Sequence, residues 1–226
     1  MKRFVQVCVV VFASMALLPG QNGRGVPGYE TVGEPENHAV TVDRLVRYHD
    51  SGQYENEIRQ VVNSAMEYLR ERVASAKDEK LAAVFDINET SLSNWDAMSG
   101  CGFCSYGAQL KLYPDAPATL ISPTLELFNF AKSKKVATFF VTGRQEKQRA
   151  LTAKNLRDVG YSDWDDLLMQ PDTNKDPARI FKPRNRDSIE KKGYHIVLSI
   201  GDQASDLAGC CAERVFKLPN PFYLVQ

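Results

Sequence analysis

Four short runs of the chain, "LAAVFDI", "VATFFVT", "DLLMQ" and "YHIVLSIG", are largely apolar, and segments of helical character separate them. A strand without polar alternation is buried on both faces, as in a parallel sheet covered by helices. Strands alternating with helices also supply the crossovers that parallel pairing requires. A last run, "RVFKLP", adds an edge. The expected fold is α/β, a Rossmann-like parallel sheet with helices on both faces.

The helices read from spacing and end signals. From Glu57, the residues Ile58, Val61, Val62, Ala65, Leu69 and Val73 recur at steps of three and four, one apolar stripe for the core. Residues 41–50 read as helical or irregular. Ser122 reads as an N-cap with Pro123 opening a helix. Residues 145–159 read as a charged amphipathic helix stopped by Gly160. Residues 184–192 and "QASDLAGCC" read as further helices.

The bulk composition narrows the class. The chain has 226 residues, 43% hydrophobic and 25% charged, as in an ordinary globular domain. Lys plus Arg equals Asp plus Glu at 28 each, so the charge balance does not point to nucleic acid. Met1-Lys2-Arg3, the apolar "FVQVCVVVFASMALL" and Pro19-Gly20 form the pattern of a secretory signal over 1–20. That run is short of the ~20 apolar residues a membrane span needs. The expectation is an exported, periplasmic or secreted protein with no membrane span after cleavage. Residues 21–37 read as a linker, 38–79 as an N-terminal helical segment, and 80–226 as the core with a small cap insertion around 91–121. Without Cys8, the cysteines are Cys101, Cys104, Cys210 and Cys211. Export makes disulfides the expectation, with all pairings open. A Cys-x-x-Cys beside an adjacent Cys-Cys is a poor zinc pattern.

Polar residues collect at strand ends: Asp86-Ile87-Asn88, Thr142-Gly143-Arg144, and Gly201-Asp202 through Asp206. In an open parallel sheet, ligands bind outside the carboxyl ends of the strands, where segments distant in sequence meet. Each group alone has a structural explanation: a helix cap at Asn88 or Thr90, a turn at Thr142-Gly143, a helix-start charge at Asp206. Together, in this order and on the ends of the first, second and fourth strands, they form a candidate site.

In this order the motifs resemble those of the haloacid dehalogenase superfamily of phosphoryl-transfer enzymes. "FDINET" is similar to its first motif, Asp-x-Asp-x-Thr, "FFVTGR" to the second, and "GDQASD" to the fourth. Lys182 in "FKPRNR" stands where the lysine of the third is expected. "DINETSLSNW", "IGDQASDL" and "RYHDSGQY" look like the branch of class B-like acid phosphatases, plant acid phosphatases and vegetative storage proteins, subfamily IIIB. The resemblance covers roughly residues 41–226.

It implies Mg²⁺ held by Asp86, the Asn88 carbonyl and Asp202, with Asp206 acting through water or orienting Lys182. It implies Asp86 as nucleophile, with Thr142 and Lys182 on the phosphoryl oxygens. Gly143, Arg144 and Trp95 join the substrate side, with Phe103 and Tyr106 in the same insertion as Trp95. The partner is a small phosphomonoester, a nucleoside monophosphate or an aryl phosphate being candidates; the oligomeric state is left open.

The departure is Asn88. The family pattern has an aspartate there, which protonates the leaving group and later activates water. An amide does neither, and general acid–base catalysis is worth roughly 10²–10⁴-fold. The expectation is an acid phosphatase of reduced activity. The alternative is a catalytically silent phosphate-ester-binding or storage protein on the same fold.

Overall fold

The computed structural model describes residues 33, 35–112, 117–174 and 176–225. The segment expected to be a signal, 1–20, and most of the expected 21–37 linker lie outside the described residues. The chain divides into Met1–Asn37 and His38–Gln226. In the first unit only residues 33 and 35–37 are described, without helix or strand.

The second unit opens with helices α1 (His38–Asp50) and α2 (Gln53–Ser75). Gly52 joins them at a φ of 80°, which glycine adopts without the penalty of a Cβ. Then follow β1 (Leu81–Phe85), β2 (Leu92–Ser93), α3 (Trp95–Gly100), α4 (Tyr106–Leu112), β3 (Thr119–Leu120), α5 (Ser122–Ser133) and β4 (Ala137–Gln145). A 3₁₀ turn (Glu146–Gln148) leads to α6 (Arg149–Asp158), β5 (Asp166–Gln170), α7 (Ala178–Lys191), β6 (His195–Gly201), α8 (Ala204–Leu207) and β7 (Arg214–Lys217). Among the described residues, no helix is long and apolar enough to cross a membrane.

The main sheet has the order β5-β4-β1-β6-β7, and every adjacent pair is parallel. Residues alternate across it. Ala83 and Phe85 join the larger core with α2 and α5, while Ala82 and Val84 join Phe181 and Ile189 of α7 on the opposite face. β1 is buried throughout, as a central parallel strand must be. The β1–β6 register shifts between Ala82 and Ala83, pairing them with Ile196 and Leu198 and passing over Val197. Phe85, Phe128, Phe140 and Tyr161 fill the larger core with centroids 5.0–6.1 Å apart. β2 and β3 pair antiparallel and close the base of the insertion carrying α3 and α4.

Several boundaries differ from the sequence reading. Where a helix is expected over 145–159, β4 runs on to Gln145 and α6 starts only at Arg149, after the 3₁₀ turn. Ile121, not Ser122, occupies the capping position before α5; Ser122 is already helical and makes no side-chain cap bond. Ile121 is buried and its N–H reaches the Ser91 carbonyl at 3.3 Å, so tertiary anchoring sets the turn. α7 begins at Ala178, upstream of the expected 184, and runs through Pro183. Proline costs one helical hydrogen bond there, and burial of Phe181 and Lys182 in the turn before it holds the helix in place.

Candidate active site

Asp86 follows β1 directly. Its N–H still donates to the Ile200 carbonyl at 3.0 Å, so the sheet fixes its backbone. The chain then turns sharply. The Ile87 carbonyl accepts from the N–H of Ser91 at 2.9 Å and Leu92 at 2.8 Å, while the Ser91 hydroxyl donates to the Asp86 carbonyl at 2.7 Å. Glu89 takes a φ of 51°, uncommon for a residue with a side chain. Its fully buried carboxylate accepts from the Asn94 N–H at 2.8 Å, the Asn94 amide at 2.9 Å and the Ser93 hydroxyl at 3.2 Å. That carboxyl ties the turn to the start of α3. Burial pushes it up to about 7 against the pull of Asn94.

Lys182 reaches Asp86 from α7. Its Nζ donates to Asp86 Oδ1 at 2.6 Å and also to Asp206 Oδ1, and all these side chains are buried. Asp206 Oδ2 accepts the Gln203 N–H at 2.8 Å. Asp206 leans over Gly201, where a Cβ would stand 2.3 Å from the Cβ of Asp206; the strand end needs glycine. Asp202 Oδ1 accepts the Thr90 hydroxyl at 3.1 Å, and Oδ2 accepts the amides of Gln203 and Asn220, each at 2.6 Å. Carboxylate oxygens of Asp86, Asp202 and Asp206 lie within 4.8 Å of one another. Arg186, fully buried one turn beyond Lys182, donates to the Asp206 carbonyl at 2.6 Å and the Cys210 carbonyl at 3.2 Å, and also to the Ala208 carbonyl.

The electrostatics follow from burial. It pushes Asp86 up to about 6, opposed by Lys182 and aided by Asp202. It pushes Asp206 up to about 6, aided by Asp86 and opposed by Lys182, and it raises Asp202 as well. Burial alone would lower the Lys182 ammonium, but Asp86 and Asp206 outweigh it and raise it. Of the three clustered carboxylates, Asp86 and Asp206 thus share one ammonium, and Asp202 stands beside them. They lack positive charge, and hard oxygen donors of this kind suit Mg²⁺. The donor set therefore fits the metal.

The other expected residues are distributed around this centre. Thr142, buried in β4 beside β1, accepts the Arg144 N–H on its hydroxyl at 3.2 Å. Arg144 Nε donates to Asn88 Oδ1 at 2.7 Å, and another of its nitrogens donates to Thr152 at 3.4 Å. The bridge between Asn88 and Leu92 runs through the Glu89 N–H and the Ile87 carbonyl, so it uses neither backbone polar group of Asn88. A Cβ at Gly143 would meet nothing within 4 Å. Trp95 is packed in an aromatic cluster. His49 stacks on it at 3.6 Å, with Phe222 at 5.3 Å and Phe103 at 5.7 Å. Tyr106 opens α4, and its side chain is outside the described set. The cysteines form Cys101–Cys104 and Cys210–Cys211 disulfides.

Sequence reasoning missed Glu89, Gln203 and Asn220. Glu89 occupies a variable position of the Asp-x-Asp-x-Thr pattern, so the motif assigns it no role. Gln203 and Asn220 act through Asp202. The available signal for Asn220 was "PNP", an amide between two prolines.

Residues 31–226 match the family described as haloacid dehalogenase superfamily, subfamily IIIB (acid phosphatase). The chain is 32% identical to acid phosphatase 1 of Solanum lycopersicum over 181 residues, 76% of this chain and 69% of that protein. It is 31% identical to vegetative storage protein 1 of Arabidopsis thaliana over 213 residues, 91% and 76% of the two chains. In fold it is similar to the class C acid phosphatase of Bacillus anthracis, with a TM-score of 0.67 and 22% identity over 82% of this chain and 84% of that one. The chain belongs to subfamily IIIB of the haloacid dehalogenase superfamily, the acid phosphatases, a family of phosphoric monoester hydrolases.

Proposed function

We propose that the protein is an exported, Mg²⁺-dependent phosphomonoesterase that works through a phosphoryl group on Asp86, with turnover slowed by Asn88. The observation that carries this reading is the Lys182 ammonium shared by Asp86 and Asp206, beside Asp202, at the carboxyl ends of β1 and β6. Export rests on the basic-then-apolar pattern of residues 1–20. The division into a helical segment at 38–79 and a core at 80–226, with a cap at 91–121, belongs to the same proposal.

Asp86, Asp202 and the Asn88 carbonyl would hold the metal, with Asp206 behind them. When bound, Mg²⁺ offsets the repulsion between a carboxylate and a phosphate ester. An Asp86 carboxylate oxygen forms a bond to phosphorus while the ester P–O bond breaks. Lys182 stays protonated and donates to the phosphoryl oxygens, and the Thr142 hydroxyl does the same. The leaving oxygen departs with the electron pair and takes its proton from solvent, because the Asn88 amide has none to give. Water then attacks the phosphoryl group on Asp86 and releases phosphate, again without a base at position 88. Gly143, Arg144 and Trp95 are assigned to the substrate side. The substrate is a small phosphomonoester, and an aryl phosphate suits the site best because a phenolate leaves without protonation.

A storage or phosphate-ester-binding role is the second reading, favoured by Asn88 and by the likeness to a vegetative storage protein. The complete carboxylate–lysine cluster favours the first. Phosphate release from p-nitrophenyl phosphate tests the choice. The expected result is slow release that chelator and Asp86→Asn each abolish; release that survives both contradicts the proposal.

A further inference from the structure

The segment after β7 touches the carboxylate cluster through one side chain. Asn220 Nδ2 donates to Asp202 Oδ2 at 2.6 Å. Its Oδ1 accepts the N–H of Phe222 at 2.8 Å and of Tyr223 at 3.4 Å, an Asx turn. One amide therefore grips Asp202 and shapes the chain beyond it. Pro219 and Pro221 flank Asn220. Each fixes its own φ, and Pro221 holds Asn220 away from helical backbone, so the amide is aimed before any ligand arrives.

The segment is anchored at its far end as well. The Gln203 amide, itself on Asp202 Oδ2 at 2.6 Å, also donates to the Tyr223 carbonyl at 3.4 Å, and its Oε1 accepts the Val225 N–H at 2.9 Å. Phe222 is buried against Tyr54, Trp95 and Phe103, with centroids 5.1–5.6 Å away. Oδ2 of Asp202 thus carries both amide donors, while among the described residues Oδ1 carries only the longer bond from Thr90. The support holds one oxygen and leaves the other with more lone-pair capacity for a cation.

We propose that Asn220 is a positioning residue for the Asp202 carboxylate, so that the metal site extends to this one side chain of the segment after β7. This rests on the reading of Asp202 as a Mg²⁺ ligand. Groups that orient metal ligands typically change metal affinity by about 10–100-fold when removed.

The test is calorimetric titration of Mg²⁺ into the full folded protein, below the Tm measured for each variant. Asn220→Ser keeps a short acceptor for the turn but is too short to reach Asp202. Phe222→Leu loosens the same segment without touching Asp202. The expected result is a Kd weakened about 10–100-fold in Asn220→Ser and nearly unchanged in Phe222→Leu. A wild-type Kd in Asn220→Ser, or equal weakening in both variants, overturns the inference, because either outcome reduces Asn220 to a packing residue. If Asn220→Ser does not fold, Asn220→Gln is titrated in its place: it keeps both amide groups one methylene displaced, and an unchanged Kd likewise overturns the inference. Absence of any Mg²⁺ binding by the wild type overturns the metal reading together with the inference, an outcome distinct from variants that bind as the wild type does.

Discussion

Arg144 donates from Nε to the side-chain oxygen of Asn88 at 2.7 Å. An arginine nitrogen only donates, so the carbonyl end of the Asn88 amide faces Arg144 and its NH₂ faces away. A carboxylate at position 88 would meet the same guanidinium. An adjacent cation favours the ionised form of an acid, which suits a base activating water and opposes an acid protonating a leaving group.

Asn88→Asp should therefore restore function unevenly. Turnover of p-nitrophenyl phosphate should rise by about 10²–10⁴-fold, the usual worth of a general base. The phosphorylation step on a nucleoside monophosphate, which needs the acid, should gain less, because Arg144 keeps the new carboxylate ionised. Rapid-quench measurement of both steps checks this. Equal gains on both substrates would contradict it.

Lys182→Met leaves Asp86 and Asp206 buried without their shared cation. Removing one partner of a buried pair costs about 3–5 kcal/mol, so the metal-free variant should melt well below the wild type. Mg²⁺ should recover part of that loss by supplying charge to the same carboxylates. Activity should fall by about 10²–10³-fold or more, as when a transition-state donor is removed. Thermal melts with and without Mg²⁺ decide the stability claim.

The pH dependence of the metal-free protein has a definite sign. Folding holds protons on Asp86 and Asp206 up to about 6 and on Glu89 up to about 7. Unfolded carboxyls release theirs near pH ~4. Across that window the native state binds more protons, so this stability is fully present at low pH and is lost as pH rises through the folded values. Glu89→Gln should flatten the decline, each kcal/mol appearing as about 2–4 °C in Tm for a chain of this size. The Tm gain from Mg²⁺ should grow from pH 5 to pH 7, since metal and protons compete for the same oxygens. A slope unchanged by Glu89→Gln counts against this account of Glu89.

Gly201→Ala places a methyl group where Asp206 now packs. Asp206 must move and carry Lys182 with it. Displacing a catalytic group by about 1 Å costs on the order of 10²-fold in rate. The loss should appear in kcat more than in KM, because the ion pair behind the nucleophile shifts.

The sheet was legible because its strands are apolar without alternation, and that pattern has one economical solution. β1, β4, β5 and β6 fall where "LAAVFDI", "VATFFVT", "DLLMQ" and "YHIVLSIG" place them. The start of α7 was not legible, since Pro183 reads as a breaker until the burial of Phe181 and Lys182 is known. Asp86 and Asp202 converge because β1 and β6 are neighbours ending on the same edge of the parallel sheet; Asp206 follows from α8, and Lys182 reaches Asp86 and Asp206 from α7. Trp95 is read on the substrate side from its place in the insertion; that its ring also stacks on His49 from α1 is a contact between segments that local spacing cannot reveal. Asn220 escaped notice for the same reason: its partner, Asp202, is distant in sequence and meets it only in the folded chain.

On the proposed function, Asp86 takes the phosphoryl group readily and gives it up slowly. Rapid mixing of the Mg²⁺-loaded protein with excess p-nitrophenyl phosphate measures this directly. The expected result is a burst of nitrophenolate approaching one equivalent per chain, then a slow linear phase, with acid-quenched protein carrying phosphate on Asp86. Nitrophenolate release that is linear from the first turnover, with no phosphate retained on the chain, would contradict it.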